Sequence, residues 1–204
     1  MIRISATNLE AFRRFKVEPD ASLDDFLAYL RRETPPTPAM AAGVAFHKVL
    51  EIAGEQELDI VEQDGYRFEF RLDAEISLPV LREVKIERVK IIDSVPVTLV
   101  GVVDAMEGKT IYDHKLTGRV DAESYTDSMQ WRCYLDWFDS DRFVYNIFEK
   151  YAPERDPGLI VVKSFMPIAF YRYPGMADDV LREVRDFIEF CRWNAPFMFK
   201  GMAA

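Results

Sequence analysis

The sequence predicts an α+β fold with an α/β-type core: a central mixed β-sheet flanked by helices and entered through an N-terminal helical segment. Three observations predict it. Helical periodicity fills the first fifty residues, alternating and apolar strand-like runs occupy the middle, and helical period returns at 122–139, between strands, and at 176–193. The expected organisation is one domain over 1–204, with a helical part at 1–54, a sheet core at 55–175 and a closing helix at 176–204.

Each element has a local reason. Residues 7–15 open on Thr7-Asn8-Leu9-Glu10, a capping-box pattern, and continue as a short amphipathic helix. A second helix is expected over 23–32. The run Thr34-Pro35-Pro36-Thr37-Pro38 then forbids helix. Helix resumes at 39–53 and is closed by Gly54. Tyr66, Phe68, Phe70 and Leu72 alternate with polar or charged residues, as in a half-buried strand. Val84, Ile86 and residues 89–92 suggest another strand, and 96–106 a further one. Glu107-Gly108 reads as a hairpin turn into a strand at 109–116. Residues 142–150 and 159–171 complete the strands.

Composition narrows the function classes. The chain has 204 residues, 49% hydrophobic and 13% aromatic, enough for a substantial core. No apolar run approaches the roughly 20 residues of a membrane span, and no signal-peptide pattern opens the chain, so a cytoplasmic protein without membrane contact is expected. Cys133 and Cys191 fit a reduced pair and are too few for a four-thiolate cluster. The net charge of -9 argues against a protein that coats nucleic acid. The acidity is uneven: residues 1–50 hold seven Lys and Arg against six Asp and Glu, so any nucleic-acid contact is local.

The informative segment is GVVDAMEGKTIYDHK, residues 101–115. With the turn at Glu107-Gly108, Met106 pairs with Lys109, Asp104 faces Ile111 and Val102 faces Asp113. Asp104, Asp113 and Lys115 then share one side of the sheet, the aspartates roughly 7–8 Å apart as diagonal neighbours. Two carboxylates at that spacing suit a hard divalent cation, which acidifies a bound water and offsets charge on a phosphate. A lysine beside it orients or deprotonates that water. The same residues also read as an exposed, solvated face. His114 points to the other face as a structural side chain, while its backbone carbonyl remains within reach of an ion.

Two helical pairs accompany the hairpin. Gly43 and His47, four apart in GVAFHKVLE, share a helix face, where the small Gly43 permits close packing and His47 is either a ligand or a core histidine. Glu51 lies one turn beyond. Gln130 and Tyr134 in QWRCY share a face of the following helix, able to hydrogen-bond a phosphate or base, or to leave Tyr134 in the core and Gln130 in solvent.

In order, these segments resemble the RecB-like exonuclease branch of the PD-(D/E)XK nuclease superfamily. That branch carries G-x3-H, G-x2-D, D-x-K and Q-x3-Y, standing here as Gly43 with His47, Gly101 with Asp104, Asp113 with Lys115, and Gln130 with Tyr134. The opening Ser5-Ala6-Thr7-Asn8-Leu9 also looks like the branch's start, and the match spans about residues 1–173. The resemblance implies a restriction-endonuclease-like fold. It implies Mg²⁺ or Mn²⁺ held by His47, Asp104, Asp113 and the carbonyl of His114, with Lys115 catalytic and Gln130 and Tyr134 assisting. It also implies hydrolysis of DNA phosphodiesters, commonly from an end, in recombination, repair, CRISPR adaptation or phage DNA metabolism. The iron–sulfur cysteines of CRISPR-associated relatives are missing, so no cluster is expected, and Val103 stands where the superfamily's name has proline. Arg13, Arg14, Lys48, Arg119 and Arg132 are candidate DNA contacts by nearness in sequence. Trp131 and Trp137 could stack on bases, or pack in the core. A protein partner or a second copy is compatible with the acidic surface. The alternatives are a nuclease-like module that binds nucleic acid or protein without cutting, a regulatory protein that docks on a basic partner, and a phosphodiesterase acting on RNA or nucleotides.

Overall fold

A computed structural model describes residues 1–53, 58–72, 76, 78–79 and 81–199. The chain begins with strand β1 (Ile2–Ser5) and continues through helices α1 (Ala6–Val17), α2 (Leu23–Arg31) and α3 (Pro38–Ile52). Strands β2 (Ile60–Gln63), β3 (Tyr66–Phe70), β4 (Leu81–Ile92), β5 (Val95–Glu107) and β6 (Thr110–Thr117) follow. Helices α4 (Ala122–Asp127) and α5 (Met129–Phe138) lead to β7 (Arg142–Tyr151), β8 (Leu159–Tyr171), α6 (Met176–Asn194) and a closing 3₁₀ turn, Pro196–Met198.

The strands form one mixed sheet in the order β1-β5-β6-β7-β8-β3-β2, with β4 also paired to β5. The β1–β5, β6–β7 and β3–β8 pairs are parallel and the rest antiparallel. The expected α+β architecture, a central mixed sheet flanked by helices, is therefore the observed one. One core gathers Phe12 of α1, Trp137 of α5 and Phe187 of α6 with Val97, Ile111 and Phe143 of the sheet. A smaller core joins Phe46 and Val49 of α3 to Phe68, Phe148 and Val162.

Several local expectations are corrected. The capping box is Ser5 with Asn8, two residues earlier than Thr7 with Glu10, because β1 ends at Ser5 and the helix starts at once. Strand β1 itself was not expected: four residues show no period, and pairing with Val97–Val100 makes the strand. Strand β2 is equally short and went unforeseen. The helix expected over 122–139 is broken at Ser128, whose ψ of 133° is extended and whose hydroxyl caps α5 by accepting from the Gln130 amide. The proposed terminator Gly54 lies outside the described residues; α3 ends at Ile52, and Thr37 caps its start ahead of Pro38.

The hairpin register is corrected by two residues. Gly108, at φ 55°, and Lys109 form the turn, so Glu107 pairs with Thr110 and Met106 with Ile111. A slip of one residue would have turned the acidic side chains to the opposite face, whereas a slip of two preserves their parity.

Candidate active site

The β5–β6 ladder stops at Ala105 and Tyr112, although both strands continue beyond it. From there β5 pairs with β1 and β4, while β6 pairs with β7. Continuing the hairpin register would bring Asp104 opposite Asp113, and Val103 would be the next residue to bond with His114. Instead the His114 amide donates to Asp104 Oδ2 at 2.6 Å, so a side chain fills the place of the ladder. A strand residue's carbonyl points to the same side as its amide, so the His114 carbonyl faces this gap as well.

Helix α3 brings His47 to the gap, its Nδ1 3.3 Å from Asp104 Oδ1. Asp104 therefore reaches into the split, where its charge is felt by Asp113. Burial works against its ionisation, but His47 and the His114 amide outweigh that and hold its pKa below the usual carboxylate range. Burial likewise works against the charged form of His47, and Asp104 raises its pKa on balance.

Asp113 has different surroundings. It is 3% exposed and directly paired in the parallel ladder with Tyr145. Lys115 Nζ pairs with its Oδ2 at 2.6 Å, and among the described residues no other donor reaches that buried oxygen. Its Oδ1 accepts from Gln130 Nε2 at 3.1 Å. Burial pushes the Asp113 pKa up to about 6; Lys115 opposes the rise and the nearby Asp104 charge adds to it.

Gln130 and Tyr134 share a helix face as expected, and the Tyr134 hydroxyl, its pKa raised by burial, interacts with the Gln130 side chain. Gln130 reaches Asp113, while Tyr134 is 4% exposed and lies in the core. Its ring explains Gly101: a Cβ there would sit 3.1 Å from Tyr134 Cε1 and 3.0 Å from Phe138 Cε2. Gly43 does not fulfil the packing expected of it, since a Cβ there would meet nothing within 4 Å. A helix-interior glycine costs about 1 kcal/mol relative to alanine, and no neighbour among the described residues requires it. His114 is structural in its side chain: it is 4% exposed, lies 3.3 Å by Nδ1 from Asn146 Nδ2, and has a pKa lowered to about 4 by burial.

The candidate basic contacts divide. Arg132 spends its guanidinium on the carbonyls of Thr126, Asp127 and Ser128 and on Tyr173, clamping the α4–α5 junction. Arg13 and Arg14 both donate to Glu10. Lys48 pairs with Asp64 at 2.7 Å. Arg119 is exposed in the loop after β6 and has no ion pair among the described residues. Trp131 and Trp137 are core residues, and Glu51 is exposed.

Sequence reasoning missed four supporting residues. Glu10, read as part of a capping box, is buried at the α5 N-terminus, where it accepts from the Met129 amide at 2.7 Å and the Ser128 hydroxyl at 3.0 Å. A serine within a helical run was a signal for Ser128. Tyr145 and Arg82 offered none, because their partners come from distant elements. Among the described residues, no three His, Cys, Asp or Glu side chains converge as a metal cluster; Asp104 contacts His47 and Asp113 contacts Lys115, and the two pairs influence one another electrostatically.

No family model matches the chain, and the curated proteins give no match of significance. Solved structures do match. The chain is similar to the crystal structure of SSO0001, with a TM-score of 0.54 and 14% identity over 100% of this chain and 88% of that one. It is also similar to a phage related exonuclease from Haemophilus somnus 129PT, with a TM-score of 0.53 and 10% identity over 97% of each chain. At such identities the likeness establishes the shared fold.

Proposed function

We propose that the chain is a divalent-metal-dependent deoxyribonuclease of the RecB-like PD-(D/E)XK kind, hydrolysing DNA phosphodiesters from an end. The observation that carries this reading is Asp113: a carboxylate 3% exposed, whose Oδ2 is paired with a lysine 2.6 Å away, beside Asp104 and His47 at a split between two strands. Buried carboxylates grouped with a lysine and a histidine are a place to look for an ion or a reacting group. The named function of the Haemophilus somnus neighbour agrees with this reading.

The donor chemistry fits a hard cation. Asp113 Oδ2, Asp104, His47 and the His114 carbonyl would hold Mg²⁺ or Mn²⁺. Bound there, the ion would supply an acidified water and charge neutralisation at the phosphate. Lys115 then holds positive charge beside the phosphate under attack and orients the water. Gln130 fixes Asp113 from behind. Tyr134, shut in the core, supports β5 through Gly101 rather than touching DNA. Arg119 is the most available phosphate contact, and the net charge of -9 favours a partner or second copy that adds basic surface.

The test is cleavage of end-labelled linear and circular DNA, single- and double-stranded, with Mg²⁺, Mn²⁺ or EDTA, alongside Lys115→Ala. Loss of linear DNA that needs metal and falls about a hundred- to a thousandfold in the variant supports the proposal. A Lys115→Ala protein that cuts normally would overturn the mechanism. Equal loss of circular DNA would replace end-directed with internal cutting.

A further inference from the structure

The geometry points to Tyr145 as a positioning residue that fixes the side-chain amide of Gln130, and through it the Asp113 carboxylate; its catalytic consequence rests on the nuclease reading above. Tyr145 is 1% exposed, so it touches no substrate. It lies beside Asp113 in the β6–β7 ladder and reaches two acceptors, Ser128 Oγ at 3.2 Å and Gln130 Oε1 at 3.5 Å.

The direction of each proton follows from the two carboxylates at the ends. Glu10 draws the Ser128 hydroxyl hydrogen, since Ser128 Oγ donates to Glu10 Oε2 at 3.0 Å. That leaves Ser128 Oγ only lone pairs to offer, and it also accepts the Gln130 amide at 3.1 Å. Asp113 draws the other end, because Gln130 Nε2 donates to its Oδ1. Gln130 therefore turns its carbonyl oxygen away from Asp113, toward Tyr145. Both neighbours of the phenol present acceptor oxygens, and the phenolic hydrogen is the donor that lies between them. Both contacts are long for a hydroxyl donor, as expected when one hydrogen serves two acceptors.

A flipped Gln130 would set Oε1 against the Asp113 oxygen, acceptor against acceptor. The Tyr145 hydroxyl opposes that flip by rewarding the observed orientation. Its ring has a second role: Lys115 Nζ lies 5.7 Å from the centroid, so the aromatic face helps hold the ammonium toward Asp113. Tyr145→Phe separates the two roles, keeping the ring and removing the hydrogen.

Tyr145→Phe is expected to lower kcat for DNA cleavage about tenfold, the lower end of what lost outer-shell partners cost, with KM unchanged. In a Gln130→Leu background the same substitution should cause no further loss, because the tyrosine acts through that amide. The Gln130 side-chain NH₂ resonances, identified by their disappearance in Gln130→Leu, should shift or broaden in Tyr145→Phe. Full kcat in Tyr145→Phe, or losses that simply add in the double variant, would overturn the assignment. If the wild-type protein cuts no DNA, the nuclease reading fails, and the resonances alone decide whether Tyr145 positions Gln130: a shift supports it and unchanged signals sink it.

Discussion

Glu10 and Asp113 are two buried carboxylates, 8% and 3% exposed, joined through Ser128, Tyr145 and Gln130. Around Glu10 the fold collects the Met129 amide, the Ser128 hydroxyl and the guanidinium groups of Arg13 and Arg14. Burial raises its pKa, but these donors together outweigh burial and hold it below the usual range. Around Asp113 the fold provides one amide hydrogen bond and the Lys115 ammonium, and burial prevails. Glu10, with both oxygens accepting several donors, ties α1 to the start of α5, whereas the proposed metal reading places the ligand at Asp113, which has two partners.

Substitution should separate the two by phenotype. Asp113→Asn should reduce cleavage about a hundred- to a thousandfold, while thermal unfolding shows the fold retained. Glu10→Ala should lose about 3 kcal/mol of stability, because it strands Arg13 and two buried donors, and should reduce cleavage far less. Urea unfolding measures the second effect. A Glu10→Ala protein as stable as wild type, or an Asp113→Asn protein that is largely unfolded, would show that the two carboxylates do not divide structural from catalytic work.

The pH dependences should have opposite sign. Asp113 has a native pKa of about 6, above its ordinary 3.8. The native state therefore binds more protons than the unfolded chain between about pH 4 and 6, and this group's contribution to stability falls as pH rises through that window. Glu10 has a lowered native pKa, so its contribution is present above its ordinary value of 4.5 and is lost as pH falls toward the native pKa. Unfolding free energy measured against pH should thus lose its downward slope between pH 4 and 6 in Asp113→Asn, and lose part of its acid sensitivity in Glu10→Gln. An unchanged slope in Asp113→Asn would mean that the aspartate's proton is not the one being read.

Much of the sheet was legible because it rests on local period. The run from Tyr66 to Phe70 and the long stretches of β5, β7 and β8 announce themselves by alternation or apolar content. Even the misplaced hairpin turn preserved side-chain parity, since its error was two residues. What stayed hidden depends on contacts between distant segments. Ile2–Ser5 becomes a strand by joining β5, and Glu10 becomes a cap on a helix more than a hundred residues away. Of the candidate site, Asp113, Lys115 and Gln130 are in contact, and His47 meets Asp104. The bond from the His114 amide to Asp104 was illegible because it follows from the splitting of β5 from β6. Tyr145 was illegible because parallel register is set by the crossover between β6 and β7, and no residue on either strand encodes it locally.

The smallest expected effect concerns Arg82, which asks whether a scaffold contact also matters to the proposed metal site. On β4, Arg82 donates to the carbonyls of Leu50 at 2.6 Å, Ala53 at 2.7 Å and Glu51, the last turn of α3, and to Pro79 at 3.1 Å. A guanidinium there satisfies carbonyls that the helix leaves unpaired and meets the negative end of its dipole. Arg82→Ala should cost about 1–2 kcal/mol and speed amide hydrogen exchange in the last turn of α3. His47 lies one turn before Glu51 on the same helix, so cleavage should drop several-fold, on the order of a weakened outer-shell support. Arg132 supplies the control, because it clamps the α4–α5 junction through the same kind of carbonyl contacts. If both substitutions reduce stability but only Arg82→Ala reduces the affinity for Mn²⁺, α3 is held in place for His47. Equal losses of affinity would mean that the site responds to general loosening, and the division between scaffold and metal centre would no longer separate their roles.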